Sequence, residues 1–297
     1  MTQRFGRLSL VLLVGCSPPP AATAIRQPEQ VRQPGFFRDW PVAESSGVIA
    51  SQTMPGRFWT LNDSGNAPVL FSFDSTAAEP VGFVPLAGAT NVDWEAISAG
   101  PCAESWCLYV GDIGDNRSVR PSVTIYRAVE PDQPALELHR ASVLDSLVVR
   151  YPDGPRDAEA LVVTTHGDLA IISKGWNSAV TAFWIPASAW SIGQVVAKPI
   201  WNLPIVPSMI HNRLVTDAAL SSDGATLAVR TYREIYLFQR TPQSKWLPDR
   251  PAGVCDIGGL EPQGEGIAWA SATTLVLTSE ILARSPAPVT LLECPDH

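Results

Sequence analysis

The chain has 297 residues, 45% apolar and only 17% charged, a balance that suits a well-buried fold and excludes intrinsic disorder. Its net charge of −8 makes it a poor partner for nucleic acid or an anionic membrane surface, and a natural one for cations. The length allows one large domain or two small ones, and strand-repeat folds run this long as one unit.

Residues 1–15 read as an export signal. Arg4 and Arg7 form a positive n-region, and the apolar run at 8–14 is too short to span a bilayer. The run ends in Leu13-Val14-Gly15-Cys16, which resembles the bacterial lipoprotein processing box, with Cys16 as the lipidated first residue. Ser17 follows instead of Asp, which implies the outer membrane in a Gram-negative host. The expected location is therefore the cell envelope, periplasmic side or surface, with membrane contact only through the N-terminal lipid. Losing Arg4 and Arg7 would leave the chain two units more acidic than −8. Residues 16–35, opening on Pro18-Pro19-Pro20, read as a flexible tether, and 36–297 as a single domain.

Within that domain an acid followed by small and aliphatic residues recurs five times. The copies are Glu44-Ser45-Ser46-Gly47-Val48, Asp93-Trp94-Glu95-Ala96-Ile97, Asp157-Ala158-Glu159-Ala160-Leu161, Asp217-Ala218-Ala219-Leu220 and Gly264-Glu265-Gly266-Ile267. Each leads through a turn, such as Pro55-Gly56 or Ser222-Asp223-Gly224, into a second apolar strand with a polar end, at 58–63, 108–112, 169–174, 227–230 and 275–280. Third strands follow at 69–73, 123–127, 181–185, 235–239 and 289–293, rich in β-branched and aromatic residues. A fourth apolar segment then leads to the next acid, as at 81–86 and 147–151. The last repeat lacks one, and the segment 36–42 ahead of Glu44 is available to complete it.

Four-stranded repeats of about 47–64 residues are the signature of a β-propeller. The expected fold is all-β, a five-bladed propeller whose N-terminal strand closes the last blade. A sixth blade would have to lie in 128–150 or 187–216. The ten tryptophans recur along the whole chain and read mainly as blade-packing residues.

Apart from Cys16 there are four cysteines, an even number for an oxidising compartment. Cys102 and Cys107 flank a short turn, so they are expected to pair, leaving Cys255 with Cys294. Zinc is disfavoured by the spacing and by the scattered histidines.

First strands start, and second strands end, at the same face of a propeller, so two polar sets should meet at one mouth of the channel. The first set, candidate metal ligands, is Glu44, Ser46, Glu95, Glu159, Asp217 and Glu265. The second holds Asn62 and the candidate catalytic residues Asp63, Asp112, Lys174, Arg230 and Glu280. Crowded carboxylates must be protonated, paired or metal-bound, and oxygen ligands on a rigid frame suit Ca²⁺ before Mg²⁺. Capping of backbone N–H groups, or pairing with Lys174 and Arg230, would satisfy the same acids without an ion.

The motifs Glu44-Ser45-Ser46-Gly47-Val48, Asp93-Trp94-Glu95, 109–116 (Tyr-Val-Gly-Asp-Ile-Gly-Asp-Asn), Asp157-Ala158-Glu159-Ala160-Leu161 and Arg230-Thr231-Tyr232 together resemble a family of uncharacterised bacterial propeller lipoproteins. More distantly, the layout resembles the calcium-activated nucleotidases (apyrases). That resemblance implies a channel Ca²⁺ held by one Ser or Glu per blade, at Ser45/Ser46 and, in reversed order, at Trp94-Glu95.

No nucleophile elbow, His-Glu-x-x-His, P-loop or dinucleotide fingerprint is present. The loop 112–116 reads as a turn, since it lacks the closing Glu of a calcium loop. The leading expectation is a monomeric binding or scaffold propeller with Ca²⁺ in its channel. A second is a metal-dependent phosphoesterase or nucleotidase in which Lys174 and Arg230 clamp a small anionic, phosphorylated ligand. A third is a glycoside hydrolase, which needs two carboxylates at a defined separation.

Overall fold

The computed structural model describes residues 23–38, 41–75, 80–103, 105–132, 141–176, 178–240, 249–283 and 285–295. The expected signal peptide, Cys16 and the first part of the tether lie outside the described residues.

Two N-terminal strands come first, β1 (Ile25–Arg26) and β2 (Gln30–Phe37). Blade 1 follows as β3 (Ser45–Ala50), β4 (Arg57–Asn62), β5 (Val69–Asp74) and β6 (Pro80–Ala87). Blade 2 consists of β7 (Trp94–Cys102), β8 (Ser105–Asp112), β9 (Val123–Val129) and β11 (Asp145–Arg150), with the short β10 (Ala141–Ser142) inside its last connection. Blade 3 is β12 (Ala158–Val163), β13 (Leu169–Ser173), β14 (Thr181–Ile185) and β16 (Lys198–Asn202). Its last connection carries a single 3₁₀ turn (Ala187–Ser191) and β15 (Gln194–Val196). Blade 4 is β17 (Val215–Leu220), β18 (Thr226–Thr231), β19 (Glu234–Gln239) and β20 (Gly253–Asp256). Blade 5 is β21 (Gln263–Trp269), β22 (Thr274–Glu280) and β23 (Ala287–Glu293), completed by β2.

Within each blade the pairs are antiparallel, and the first turns carry Gly56, Gly167 and Gly224 at φ of 79°, 80° and 69°. The first strands close a ring, each packed on the next and β21 back on β3. Near that axis only small groups fit: a Cβ on Gly47 would lie 3.0 Å from the Ile97 nitrogen. This is the physical source of the small residues that follow each acid in the repeat. Outward, the blades bury apolar faces against one another, as where Trp59, Leu61 and Leu70 meet Trp94, Ile97 and Leu108. Among the described residues there are five blades and no sixth, the connections at 128–150 and 187–216 serving β10, β11, β15 and β16.

The closing strand lies earlier than expected. It is Gln30–Phe37, not 36–42, and it pairs antiparallel with β23 from Gln30↔Glu293 to Phe37↔Ala287. Most of residues 25–35, expected as tether, are therefore strand. The cause is that Phe37 is 2% exposed and sets its ring edge-on to Phe73, which fixes the register ahead of the loop. β1 continues the same segment and pairs parallel with β20 of blade 4. β10 and β15 do likewise for blades 1 and 2, pairing parallel with β6 and β11. In each case the chain entering an outermost strand covers the outer edge of the preceding blade, which blunts an open edge. Both expected disulfides form: Cys102–Cys107 within blade 2, and Cys255–Cys294 between blades 4 and 5. Trp59 and Trp94 are fully buried, but Trp106 and Trp176 stand more than 40% exposed and do not pack blades.

Candidate functional site: the channel mouth

Every first strand carries a register break one or two residues after it begins. The breaks fall between Ser45 and Gly47, Trp94 and Ala96, Ala158 and Ala160, Val215 and Asp217, and Gly264 and Ile267. A β-bulge leaves its extra residue unpaired and re-aims it. The bulged residues Ser46, Glu95, Glu159, Thr216 and Glu265 are thus the equivalent positions at one end of the channel. At the same face, the residues one past the last second-strand partner before each bulge are Asp63, Ile113, Lys174, Tyr232 and Glu280, the last itself paired with Gln263.

This register corrects three expected positions. Asp217 is one residue past the bulge, and Thr216 takes its place in the ring. The Asp217 carboxylate accepts from the backbone N–H groups of Ala218 at 2.7 Å and Ile267 at 2.9 Å, tying blade 4 to blade 5. Arg230 is 1% exposed beneath the mouth, where it pairs with Glu261 and donates to the carbonyls of Gly266 and Thr278. Tyr232 occupies the rim position expected of Arg230. Asp112, also 1% exposed, accepts from Asp93 N–H at 3.1 Å and from Arg120 at 2.7 Å, so it braces the entry loop. The turn expected at 112–116 is held the same way, with Asp115 accepting from Val119 and Arg120 N–H groups.

The remaining residues converge. Ser46 donates to Glu95 Oε2 at 2.9 Å, and Glu95 and Glu159 share a hydrogen bond. Lys174 Nζ lies 2.5 Å from Glu159 Oε1 and 3.9 Å from Asp157. Thr216 donates to the Glu265 carbonyl, and the Gln263 amide bridges Glu265 at 3.3 Å and Glu280 at 2.8 Å. Glu44 is exposed at the rim and accepts from Asn66, while Asn62 positions the Glu44 backbone.

Burial pushes Glu95 and Glu265 well above the ordinary carboxylate range, and in both the Glu159 carboxylate adds to the effect. Glu159 itself is raised to about 7 by burial, against the pull of Lys174. Burial, Asp63 and Glu44 raise Glu280 to about 7. Asp93 is lifted to about 6 by burial, Asp63 and Asp157, and Asp63 moves in the same direction. Burial opposes the Lys174 charge, but Glu159 and Asp157 override it and hold the ammonium firmly protonated.

One subset has the shape of a cation site. Carboxylate oxygens of Asp63, Asp93 and Glu95 lie within 4.8 Å of one another. Two oxygens each about 2.4 Å from one Ca²⁺ can be at most about 4.8 Å apart, so the set fits. Gly114 makes the room: a Cβ there would come within 2.5 Å of Glu95 Oε1 and 2.6 Å of Asp93. Asp93 was not among the expected ligands. Its signal was present as a recurring spacing, a carboxylate or amide two residues ahead of the bulged acid. Asp93 with Glu95, Asp157 with Glu159 and Gln263 with Glu265 all repeat that spacing.

The fold and the mouth define a five-bladed β-propeller with an acidic channel entrance. No family model matches the chain and no curated protein matches it, so nothing there supports the likeness to lipoprotein propellers or apyrases. Among solved structures it is similar to the PQQ-bound aldose sugar dehydrogenase of Streptomyces coelicolor, at 10% identity over 91% of this chain and 99% of that one, with a TM-score of 0.51. Weaker likenesses are to Kuenenia stuttgartiensis hydrazine synthase (11% identity, 80% and 56% covered, TM-score 0.39) and Chaetomium thermophilum Raptor (9%, 89% and 22%, 0.40). Of these, the first supports the β-propeller fold and carries no activity with it.

Proposed function

We propose that the chain is a lipid-anchored envelope propeller that binds a partner on its mouth face and holds a divalent cation, Ca²⁺ before Mg²⁺, among Asp63, Asp93 and Glu95. The carrying observation is the convergence of those three carboxylates within 4.8 Å. Bound there, the ion would supply a fixed positive charge and rigidity to the junction of blades 1 and 2. The mouth-face loops also expose Val92, Val119, Trp176, Met209 and Ile210, the last 91% exposed. Apolar tips around an acidic centre suit protein recognition. Orientation favours the same reading. β1 runs parallel to β20 toward the mouth, and Thr23 bonds the Pro251 carbonyl at the other end of the blade. A tether leaving from there would set the mouth away from a membrane anchored through Cys16.

The test is elemental analysis of the purified protein, with melting in Ca²⁺ and in chelator. A calcium-dependent rise in Tm is expected. An unmoved transition at millimolar Ca²⁺, with no bound metal, removes the cation. Mass spectrometry showing an unmodified Cys16 removes the anchor.

A metal-dependent phosphoesterase is the second reading, favoured by Glu280. A half-buried carboxyl near pKa 7 on the rim is poised for general-base work. Against it, Lys174 and Arg230 are both held in ion pairs and do not reach outward as a phosphate clamp. Chelator-sensitive turnover of a phosphoester would establish it.

A further inference from the structure

The loops entering blades 4 and 5 leave a second opening on the mouth face. It is a groove of about 560 Å³, lined by Asn212, Tyr232, Arg233, Gly259, Pro262 and Gln263. We propose that this groove binds a short neutral saccharide, at a site separate from the carboxylates of blades 1 and 2.

The volume lies in the range of small-ligand sites. The floor is built from a neutralised ion pair. Arg230 presses so close under Gly264 that a Cβ there would meet its Nη2 at 1.6 Å, and Glu261 cancels its charge. At the outer wall Arg233 is 3.1 Å from Asp256, so its charge is also balanced while its other N–H groups remain donors. At the inner end the Gln263 amide sits against Glu265 and Glu280. Tyr232, half-buried, adds a ring face and a hydroxyl.

This chemistry discriminates between ligand classes. The charged groups of the lining, Glu261 and Arg233, are already paired with Arg230 and Asp256, so neither an anion nor a cation finds an uncompensated counter-charge there. An apolar ligand would cover the glycine backbone of 258–259 with few apolar walls beyond Tyr232 and Pro262. A neutral polyol accepts from the Arg233 guanidinium and the amide N–H groups of the lining, and lays its C–H face on the tyrosine ring.

The experiment is titration of the purified protein with glucose, galactose, N-acetylglucosamine, maltose and cellobiose, and separately with inorganic phosphate, followed by amide chemical shifts. At least one saccharide should saturate with a Kd in about the millimolar range, shifting residues 212, 232–233 and 258–264. Tyr232→Phe should weaken it about 3- to 10-fold by removing one hydrogen bond. Pro262→Trp, from an exposed position, should fill the groove and abolish binding. The proposal is overturned if no sugar binds at about 10 mM, if the shifts map elsewhere, or if Pro262→Trp binds normally. Phosphate shifting these amides in place of sugar would also overturn it. Repeating the titration in chelator separates the two sites: unchanged sugar binding is expected even if the protein holds no calcium, and loss of sugar binding there would overturn the separation.

Discussion

Lys174 Nζ sits 2.5 Å from Glu159 Oε1, so an ammonium group already neutralises the blade 3 side of the mouth. The Asp63, Asp93 and Glu95 side has no comparable ion pair among the described residues. The division is built into the second strands, which are followed directly by Asp63 on blade 1 and Lys174 on blade 3.

Replacing Lys174 by Met should therefore unmask carboxylates that the folded protein keeps buried. Removing one partner of a buried pair leaves the other uncompensated, a loss of about 3–5 kcal/mol. Urea unfolding at neutral pH measures it. The loss should shrink near pH 5, where protonated carboxyls need no counter-charge, whereas a packing defect alone would be the same at both pH values.

The raised carboxyls set the pH dependence. A group whose folded pKa exceeds its unfolded value near 4 stabilises the fold below that value, and the contribution disappears as pH rises through the folded pKa. For Asp93 at about 6, and Glu159 and Glu280 at about 7, the window runs from about pH 4 to about pH 7. In chelator Tm should fall across that window. Calcium should flatten the fall, because the cation replaces protons, and its stabilising effect should grow with pH. Calorimetry at several pH values, with and without Ca²⁺, checks both slopes.

Much of this was legible in the sequence. The acid-plus-small repeat marked all five first strands, because crowding at the axis demands Gly or Ala beside a residue aimed at the mouth. The strand ends were placed within a few residues for the same reason. The position of the ring residue on blade 4 was not legible: aligning acid on acid chose Asp217, whereas the bulge register chooses Thr216. A bulge is a backbone event, and Thr-Asp reads alike in either register. Arg230 failed similarly, because whether a strand-end cation points out or under the next blade depends on a partner, Glu261, 31 residues away. The early start of β2 was hidden by Gln30–Pro34, a polar stretch whose only apolar residue is Val31, lying on an outermost strand.

The two disulfides should differ in weight. Cys255–Cys294 closes 39 residues and joins blades 4 and 5, whereas Cys102–Cys107 closes 5 within one hairpin. The chain-entropy model gives about 4 kcal/mol for the long loop and about 2 for the short one. Cys255→Ala with Cys294→Ala should thus lower the urea midpoint more than Cys102→Ala with Cys107→Ala. Equal effects would mean that strain or residual unfolded structure outweighs loop closure.

Closure of the ring should be separable into its two N-terminal strands. Deleting residues through 28 removes β1 and bares the edge of β20, while deleting through 37 also removes β2 and the Phe37–Phe73 contact. The shorter deletion should stay monomeric with a modest loss of Tm. The longer one should aggregate on size exclusion, since it exposes β23 along its length. A monomeric, fully stable longer deletion would show that β2 does not close the blade in solution.

The cation site makes its sharpest prediction through two aspartates that differ in their partners. Asp93 lies beside Asp63 and Glu95, and its burial and the repulsion of Asp63 and Asp157 raise it to about 6, so Asp93→Asn should stabilise the protein in chelator. In calcium the same change removes a charged oxygen ligand, so the Ca²⁺-induced rise in Tm should largely disappear. Asp217 also lies near the axis, but its carboxylate is spent on the Ala218 and Ile267 amides. Asp217→Asn keeps one acceptor oxygen and places an amide where a second acceptor was needed, so it should destabilise by about 1–3 kcal/mol with or without calcium. Melting both variants in calcium and in chelator gives four shifts, with opposite signs expected in chelator. If Asp93→Asn destabilises in both conditions and leaves the calcium response intact, Asp93 is a structural acid like Asp217, and the cation does not sit among these three carboxylates.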